Sequence, residues 1–302
     1  MNVISYRMSA VRAALRYWSN FRTAEIVALQ GSPLLGFAMA IHHPTAESVR
    51  PLMLLVAANI CLVAHIFLTN DWADMHADLS DPTKTDWFFR VGPGNRNDIA
   101  VPMIILLALS LFLLSQLGGT PTFLAIAITA ASALYSLPQF HWKGRPILSS
   151  VLHLVGGALH FLLGYSVAGV IDGRAVAAAS FFALTFAAGH LTQELRDYQG
   201  DVRSDIRTNA VIFGQRRAFL ASLVLFTLAH ALLCYLSLTG ILPRPLAILV
   251  VLYPLHLYWS IATLADGLTY ASICRLQARY RTIYAIIGLV ILLNLWGGSH
   301  VT

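Results

Sequence analysis

The chain has 302 residues, of which 57% are hydrophobic and only 11% charged, and its formal net charge is +6. Soluble domains carry about 25% charged residues, so this composition argues against a soluble globular enzyme and against a disordered chain. Cys61, Cys234 and Cys274 are too far apart, and too deep in apolar sequence, for a disulfide framework or a metal knuckle.

Residues 1–23 carry four arginines and no uninterrupted apolar core, so they do not read as a cleavable signal. Tyr6, Val11, Leu15, Trp18 and Phe21 give them a lipid-facing side, and the segment predicts an amphipathic helix on the membrane surface. The rest is apolar sequence broken by short charged islands. Spanning a bilayer takes about 20 apolar residues. Nine stretches qualify: 24–43, 51–69, 99–117, 121–137, 147–170, 175–193, 217–239, 246–265 and 281–297. The narrowest separations, Gly118–Pro121 and Asp172–Arg174, both contain turn residues. With the N-terminus in the cytoplasm, 17 of the 20 Lys and Arg fall on the cytoplasmic side and only Arg50, Arg174 and Arg244 on the other. That asymmetry obeys the positive-inside rule. The expectation is one all-α membrane domain over 1–302, nine helices around a central cavity, integral to an inner or plasma membrane. Nucleic-acid binding is disfavoured, because the basic residues are spread along a membrane face.

Two stretches between spans, 70–98 and 194–216, read as long cytoplasmic loops. They hold six and four of the 14 acids. The first opens Asn70-Asp71-Trp72-Ala73-Asp74-Met75-His76-Ala77-Asp78. On a continuing helix, Asp71, Asp74 and Asp78 share one face. The second contains Glu194-Leu195-Arg196-Asp197-Tyr198-Gln199-Gly200-Asp201, and Asp205 follows four residues later. Like charges so spaced destabilise a bare helix, and a bound cation reverses the sign. Oxygen ligands without cysteine suit a hard ion such as Mg²⁺, which takes one or two carboxylates and completes its shell with phosphate oxygens. The competing account is solvated helix ends paired with Arg196, Arg203 and Arg207.

These residues resemble the UbiA superfamily of intramembrane prenyltransferases. Asn70 to Asp78 match its NDxxDxxxD signature, and Asp197-Tyr198-Gln199-Gly200-Asp201 matches its second, DxxGD-type motif. Leu134-Tyr135-Ser136-Leu137-Pro138 with Lys143-Gly144 looks like its tyrosine–proline–lysine segment, and Ile206–Gly214 like the stretch after the second motif. Two positions depart from the pattern: Asp205 stands where the family usually has glycine, and the segment Lys84–Gly92 is altered apart from Lys84, Arg90 and Gly92.

The resemblance implies Mg²⁺-dependent transfer of a prenyl group from an isoprenyl diphosphate to a small, aromatic acceptor, at a site facing the cytoplasm. Asp71, Asp74, Asp78, Asp197 and Asp201 are the implied metal ligands. Asn70, Lys84, Arg90, Tyr135, Lys143, Arg145 and Arg196 are the implied substrate contacts, with Tyr135 and Lys143 also catalytic. Aromatic faces can shelter an allylic cation; besides Tyr135, the candidates are Trp72, Phe161, Tyr165 and Phe186. His153 and His160, seven residues apart on the fifth span, could take up the released proton or serve interhelical hydrogen bonding. Gly156, Gly157 and Gly164 on the same span suit close helix packing. Two alternatives stand beside transfer. A cyclase would capture the cation intramolecularly. A transporter or lipid-binding protein would need charge near the membrane midplane, where these spans have none.

Overall fold

The computed structural model describes residues 23–41, 44–80 and 96–297, and among them the chain is helical without a strand. The surface helix expected over 1–23 lies almost wholly outside the described residues, as do Lys84 and Arg90. The elements are α1 (Thr23–Ala28), α2 (Gly31–Ala40), α3 (Ala46–Ser80), α4 (Arg96–Ser115), α5 (Gly119–Ser136), α6 (Leu148–Tyr165) and α7 (Gly173–Arg203). There follow the short α8 (Asn209–Phe213), α9 (Gln215–Leu238), a 3-10 segment Arg244–Leu252 leading into α10 (Tyr253–Ala265), and α11 (Tyr270–Gly297).

Among the described residues, six helical stretches are long and apolar enough to cross a bilayer: Ala46–Met75, Leu148–Tyr165, Gly173–Arg203, Gln215–Leu238, Arg244–Ala265 and Tyr270–Leu295. Glu25–Ala40 and Ile99–Ser115 are shorter apolar helices in the first and third expected spans. The 18-residue α5 lies in the fourth. Nine crossings is more than length and apolarity establish, and that count stays a proposal. The breaks fall where turn residues sit. Gly118 adopts φ 132°, open to glycine but not to other residues, between α4 and α5. Asp172 caps α7, its side chain accepting from the Ala175 N–H at 2.8 Å.

One expectation is corrected. The stretches read as loops begin as helix: α3 continues to Ser80 and α7 to Arg203. Hydropathy marks where lipid ends, not where a helix ends. Residues 70–80 contain neither glycine nor proline, so nothing in them breaks the backbone ladder once the chain leaves hydrocarbon.

Small residues set the helix spacing. A Cβ on Gly164 would overlap the Pro33 carbonyl, and one on Gly36 the Phe161 carbonyl, so α2 and α6 meet backbone to backbone. Gly157 plays the same part against α7, where a Cβ would lie 2.7 Å from Phe186 Cβ and 2.8 Å from the Phe182 carbonyl oxygen. One apolar core (Phe37, Leu55, Leu62, Leu114, Leu163) joins α2 to α6; another (Leu35, Phe161, Phe181, Leu233, Ile287) joins α2, α6, α7, α9 and α11. The outer surface exposes Ile104, Phe112, Phe123, Tyr235, Ile248 and Leu293, the apolar face a bilayer requires. Between them, the helices bring four ends together: the C-terminal turns of α3, α5 and α7 and the start of α6.

Candidate active site

The acids stand on helix ends that project past the apolar spans. Asp71 is buried at 1% exposure, and the neighbouring Asn70 accepts from Ser136 Oγ at 3.4 Å, which ties α3 to the end of α5. Asp78 continues the same helix; its side chain is outside what is described. After Ser136 the chain must leave the helix, because Pro138 disfavours helical backbone just before it. It folds back through the 3-10 turn Trp142–Gly144, which buries Lys143. The Lys143 ammonium pairs with Asp74 across 69 residues of sequence. Arg145, three residues before α6, is exposed on the rim.

On α7, Asp197 is held by the neighbouring Arg196, whose Nε and Nη2 donate to its two oxygens at 2.8 and 2.9 Å. Arg196 therefore orients a carboxylate. Asp201 accepts from Thr208 Oγ1 at 3.3 Å through its side chain and from the Ile206 N–H at 2.9 Å through its backbone. It lies two turns beyond the apolar stretch 175–193. Burial, and then the adjacent charge of Asp197, push its carboxyl up to about 7. Asp205 is not on this face. The helix runs through Gly200 and ends at Arg203, and Asp205 sits in the following turn with φ 51°. That left-handed backbone is where glycine is favoured, which accounts for the family's usual residue there.

Two residues that the motif reading did not single out hold the site together. Glu194 is 4% exposed. Its Oε1 accepts from Asn209 Nδ2 at 2.9 Å and Ser149 Oγ at 3.2 Å, and its Oε2 from the Ala210 N–H at 3.2 Å. Asn209 also donates to Ser150 Oγ and accepts from the Ile147 N–H at 2.6 Å. One carboxylate and one amide thus fix α6, α7 and α8 to each other. The signal for Glu194 was available: Glu194, Asp197 and Asp201 repeat the i, i+3, i+7 spacing of Asp71, Asp74 and Asp78.

Tyr135 is close enough to Asp74 of α3 and to Glu194, Asp197 and Asp201 of α7 to feel the charge of each. Its ring meets His153 edge-on, centroids 4.9 Å apart. His153 stacks on His190 of α7 at 3.6 Å and 6° between planes, and Phe186 lies 5.6 Å from His153. His190 Nε2 is 3.0 Å from Glu194 Oε1, off the direction of a hydrogen bond. The other aromatic candidates are elsewhere. Phe161 is in the core, Trp72 packs against Leu68, Met75 and Ile99, and Tyr165 belongs to the opposite end of the bundle. That far end holds a cavity of about 370 Å³, lined by Tyr165, Asp172, Arg174 and Arg244 among others; it is remote from the acids.

Carboxylate oxygens without sulfur are the donor set for a hard divalent ion. Among the described residues no three His, Cys, Asp or Glu converge on one point. The set still fits Mg²⁺, which takes few protein carboxylates and relies on phosphate oxygens for the rest.

A model of the UbiA prenyltransferase family matches residues 31–273. The chain is 27% identical over 248 residues to the lycopene elongase/hydratase of Haloferax volcanii, covering 80% of this chain and 74% of that one. In fold it is similar to a UbiA homologue from Archaeoglobus fulgidus solved with GPP and Mg²⁺ (TM-score 0.67, 17% identity, 89% of this chain and 97% of that). A solved digeranylgeranylglyceryl phosphate synthase is similar too (TM-score 0.70, 16% identity, 94% and 99%).

Proposed function

This chain belongs to the UbiA prenyltransferase family and is a membrane prenyltransferase; on that premise we propose that it joins a short allylic isoprenoid diphosphate to a neutral, apolar polyene acceptor, with Mg²⁺ as cofactor, at a site on the cytoplasmic side. The observation that carries the reading is the meeting of Lys143, Tyr135 and two acid-bearing helix ends at one end of an apolar bundle.

Asp71, Asp74 and Asp78 on one side, and Asp197 and Asp201 on the other, would hold Mg²⁺. Bound there, the ion would supply positive charge to the leaving diphosphate. Lys143, already a cation at Asp74, can turn to a phosphate oxygen, and Arg145 on the rim, with Lys84 and Arg90, can add further donors. Arg196 keeps both oxygens of Asp197 oriented. Tyr135 offers its ring to the allylic cation formed as the C–O bond breaks. The apolar helices below exclude water and take the hydrocarbon chain.

The acceptor is where the reading departs from the aromatic compound first expected. Between the acids and the far end of the bundle, the apolar spans carry no Asp, Glu, Lys or Arg. An acceptor bearing a carboxylate would be buried there without a partner, at a large desolvation cost. The imidazole rings that meet Tyr135 are those of His153 and His190, with centroids 4.9 and 6.0 Å away. A polyene needs no charge partner, and the Haloferax relative's name specifies lycopene.

The test is purified protein with Mg²⁺, dimethylallyl or geranyl diphosphate, and either lycopene or 4-hydroxybenzoate, followed by mass spectrometry. A C5- or C10-extended lycopene is expected. Prenylated 4-hydroxybenzoate alone, or a cyclised hydrocarbon without acceptor, would overturn the polyene assignment.

A further inference from the structure

Prenyl attachment to an alkene leaves a cation on the acceptor, and something must end it. We propose that His153 is the base that takes the proton, with His190 and Glu194 as its positioning residues; the inference rests on the prenyl-transfer reading above and adds the step that follows carbon–carbon bond formation.

The tautomer is set by the backbone. His153 Nδ1 lies 2.8 Å from the Ser149 carbonyl oxygen. A carbonyl only accepts, so Nδ1 carries the hydrogen and Nε2 keeps its lone pair. The ring is half-buried and stands edge-on to Tyr135, the ring proposed above to face the allylic cation. Its face is covered by His190 at 3.6 Å. His190 in turn has the Glu194 carboxylate 3.0 Å from Nε2. Glu194 is held by Asn209, Ser149 and the Ala210 N–H, each donating to a carboxylate oxygen. The Glu194 carboxyl thus lies against the His190 end of the stack. It stabilises positive charge on the rings when the proton arrives. His160, two turns along α6, is buried beside Phe186 and does not share this arrangement.

The electrons balance as follows. The acceptor alkene pair forms the bond to the prenyl carbon, and the C–O pair leaves with the diphosphate. The C–H pair beside the new cation becomes a double bond, and the proton goes to His153 Nε2. Without the base, water adds to the cation and the product is an alcohol. His153 is therefore the residue that sets the alkene-to-alcohol ratio.

The experiment uses the full-length protein with Mg²⁺, dimethylallyl diphosphate and lycopene, and reads extended alkene against extended alcohol by mass spectrometry. His153→Phe should lower the alkene-to-alcohol ratio at least tenfold. His153→Gln, which keeps a donor for the Ser149 carbonyl, should do the same if the first variant misfolds. Glu194→Gln, which preserves the side chain's shape, should lower the ratio less, about threefold, without a change in melting temperature. A structural role alone would change yield and melting temperature but leave the ratio fixed. An unchanged ratio in folded His153→Phe or His153→Gln overturns the proposal. If the wild type releases diphosphate but extends neither lycopene nor an aromatic acceptor, the acceptor assignment fails instead. His153 is then judged on dimethylallyl diphosphate alone, by isoprene against C5 alcohols, where the same fall is expected and an equal ratio is the refutation.

Discussion

Gly156 and Gly157 are neighbours on α6, yet alanine should have opposite effects at the two positions. A Cβ on Gly156 would meet only Phe186 Cε1 at 3.8 Å, an ordinary contact. Replacing a helix-interior glycine there gains up to about 1 kcal/mol of helix propensity. A Cβ on Gly157 would lie 2.7 Å from Phe186 Cβ, 2.8 Å from the Phe182 carbonyl oxygen and 3.0 Å from Ala183 Cα. Two of those three atoms are backbone and cannot rotate away. Restoring a carbon–carbon contact of about 3.5 Å means parting α6 from α7 by ~0.8 Å. Overpacking costs about 1–3 kcal/mol, and the upper end applies when backbone must move. Set against the propensity gain, Gly157→Ala should lose about 2 kcal/mol and Gly156→Ala gain about 0.5–1 kcal/mol. His153 lies one turn before Gly157 on the same α6–α7 seam, so the separation also opens the His153–His190 stack. Thermal unfolding of both variants in one detergent, with turnover on dimethylallyl diphosphate, measures both effects. A Gly157→Ala protein that melts at or above Gly156→Ala would refute the packing argument.

Asp71→Ala or Asp74→Ala should abolish Mg²⁺-dependent diphosphate release in a folded protein; near-normal turnover by Asp71→Ala would remove the metal-site assignment. Asp205→Gly should keep most activity and melt at or slightly above wild type, by no more than about 1 kcal/mol, since glycine suits its left-handed backbone. Asp201→Ala should be inactive in the same assay, and equal inactivity of the two would make Asp205 an essential acid. Adding Mg²⁺ together with geranyl diphosphate to chelator-treated protein should raise the melting temperature by more than either ligand alone; no rise with both present would count against Asp197 and Asp201 as ligands. Cysteines placed at Ser80 or Ser204 should resist an impermeant reagent applied outside intact cells, and labelling there would reverse the orientation.

What could be read from the residues followed from their local chemistry. The turn residues at Gly118 and Asp172 mark real breaks, and the spacing of Asp71 and Asp74 names one helix face because α3 does continue. Gly157 and Gly164 make the close crossings expected of them. The misses share a cause. Spacing along one helix relates residues on that helix only, so it paired His153 with His160. The stack with His190 depends on how α6 and α7 are brought together, and periodicity says nothing about that. Counting turns would carry Asp205 to the Asp197 face only on a continuous helix, and the helix stops at Arg203. Glu194 repeats the spacing of the first motif, but spacing does not tell a carboxylate that ties helices together from one that faces the site, and the ties of Glu194 to Ser149, Asn209 and Ala210 depend on tertiary packing.

The pairing of Lys143 with Asp74 has a consequence for the order in which ligands arrive. With an ammonium already on that carboxylate, a bare cation entering the site competes with a resident one. A diphosphate changes the terms, because it offers Lys143 a new anionic partner and frees Asp74. Each arrival thereby strengthens the other, and by linkage the factor is the same in both directions. Such a site would load metal and diphosphate as a unit, and would respond weakly to Mg²⁺ concentration until the isoprenoid is present.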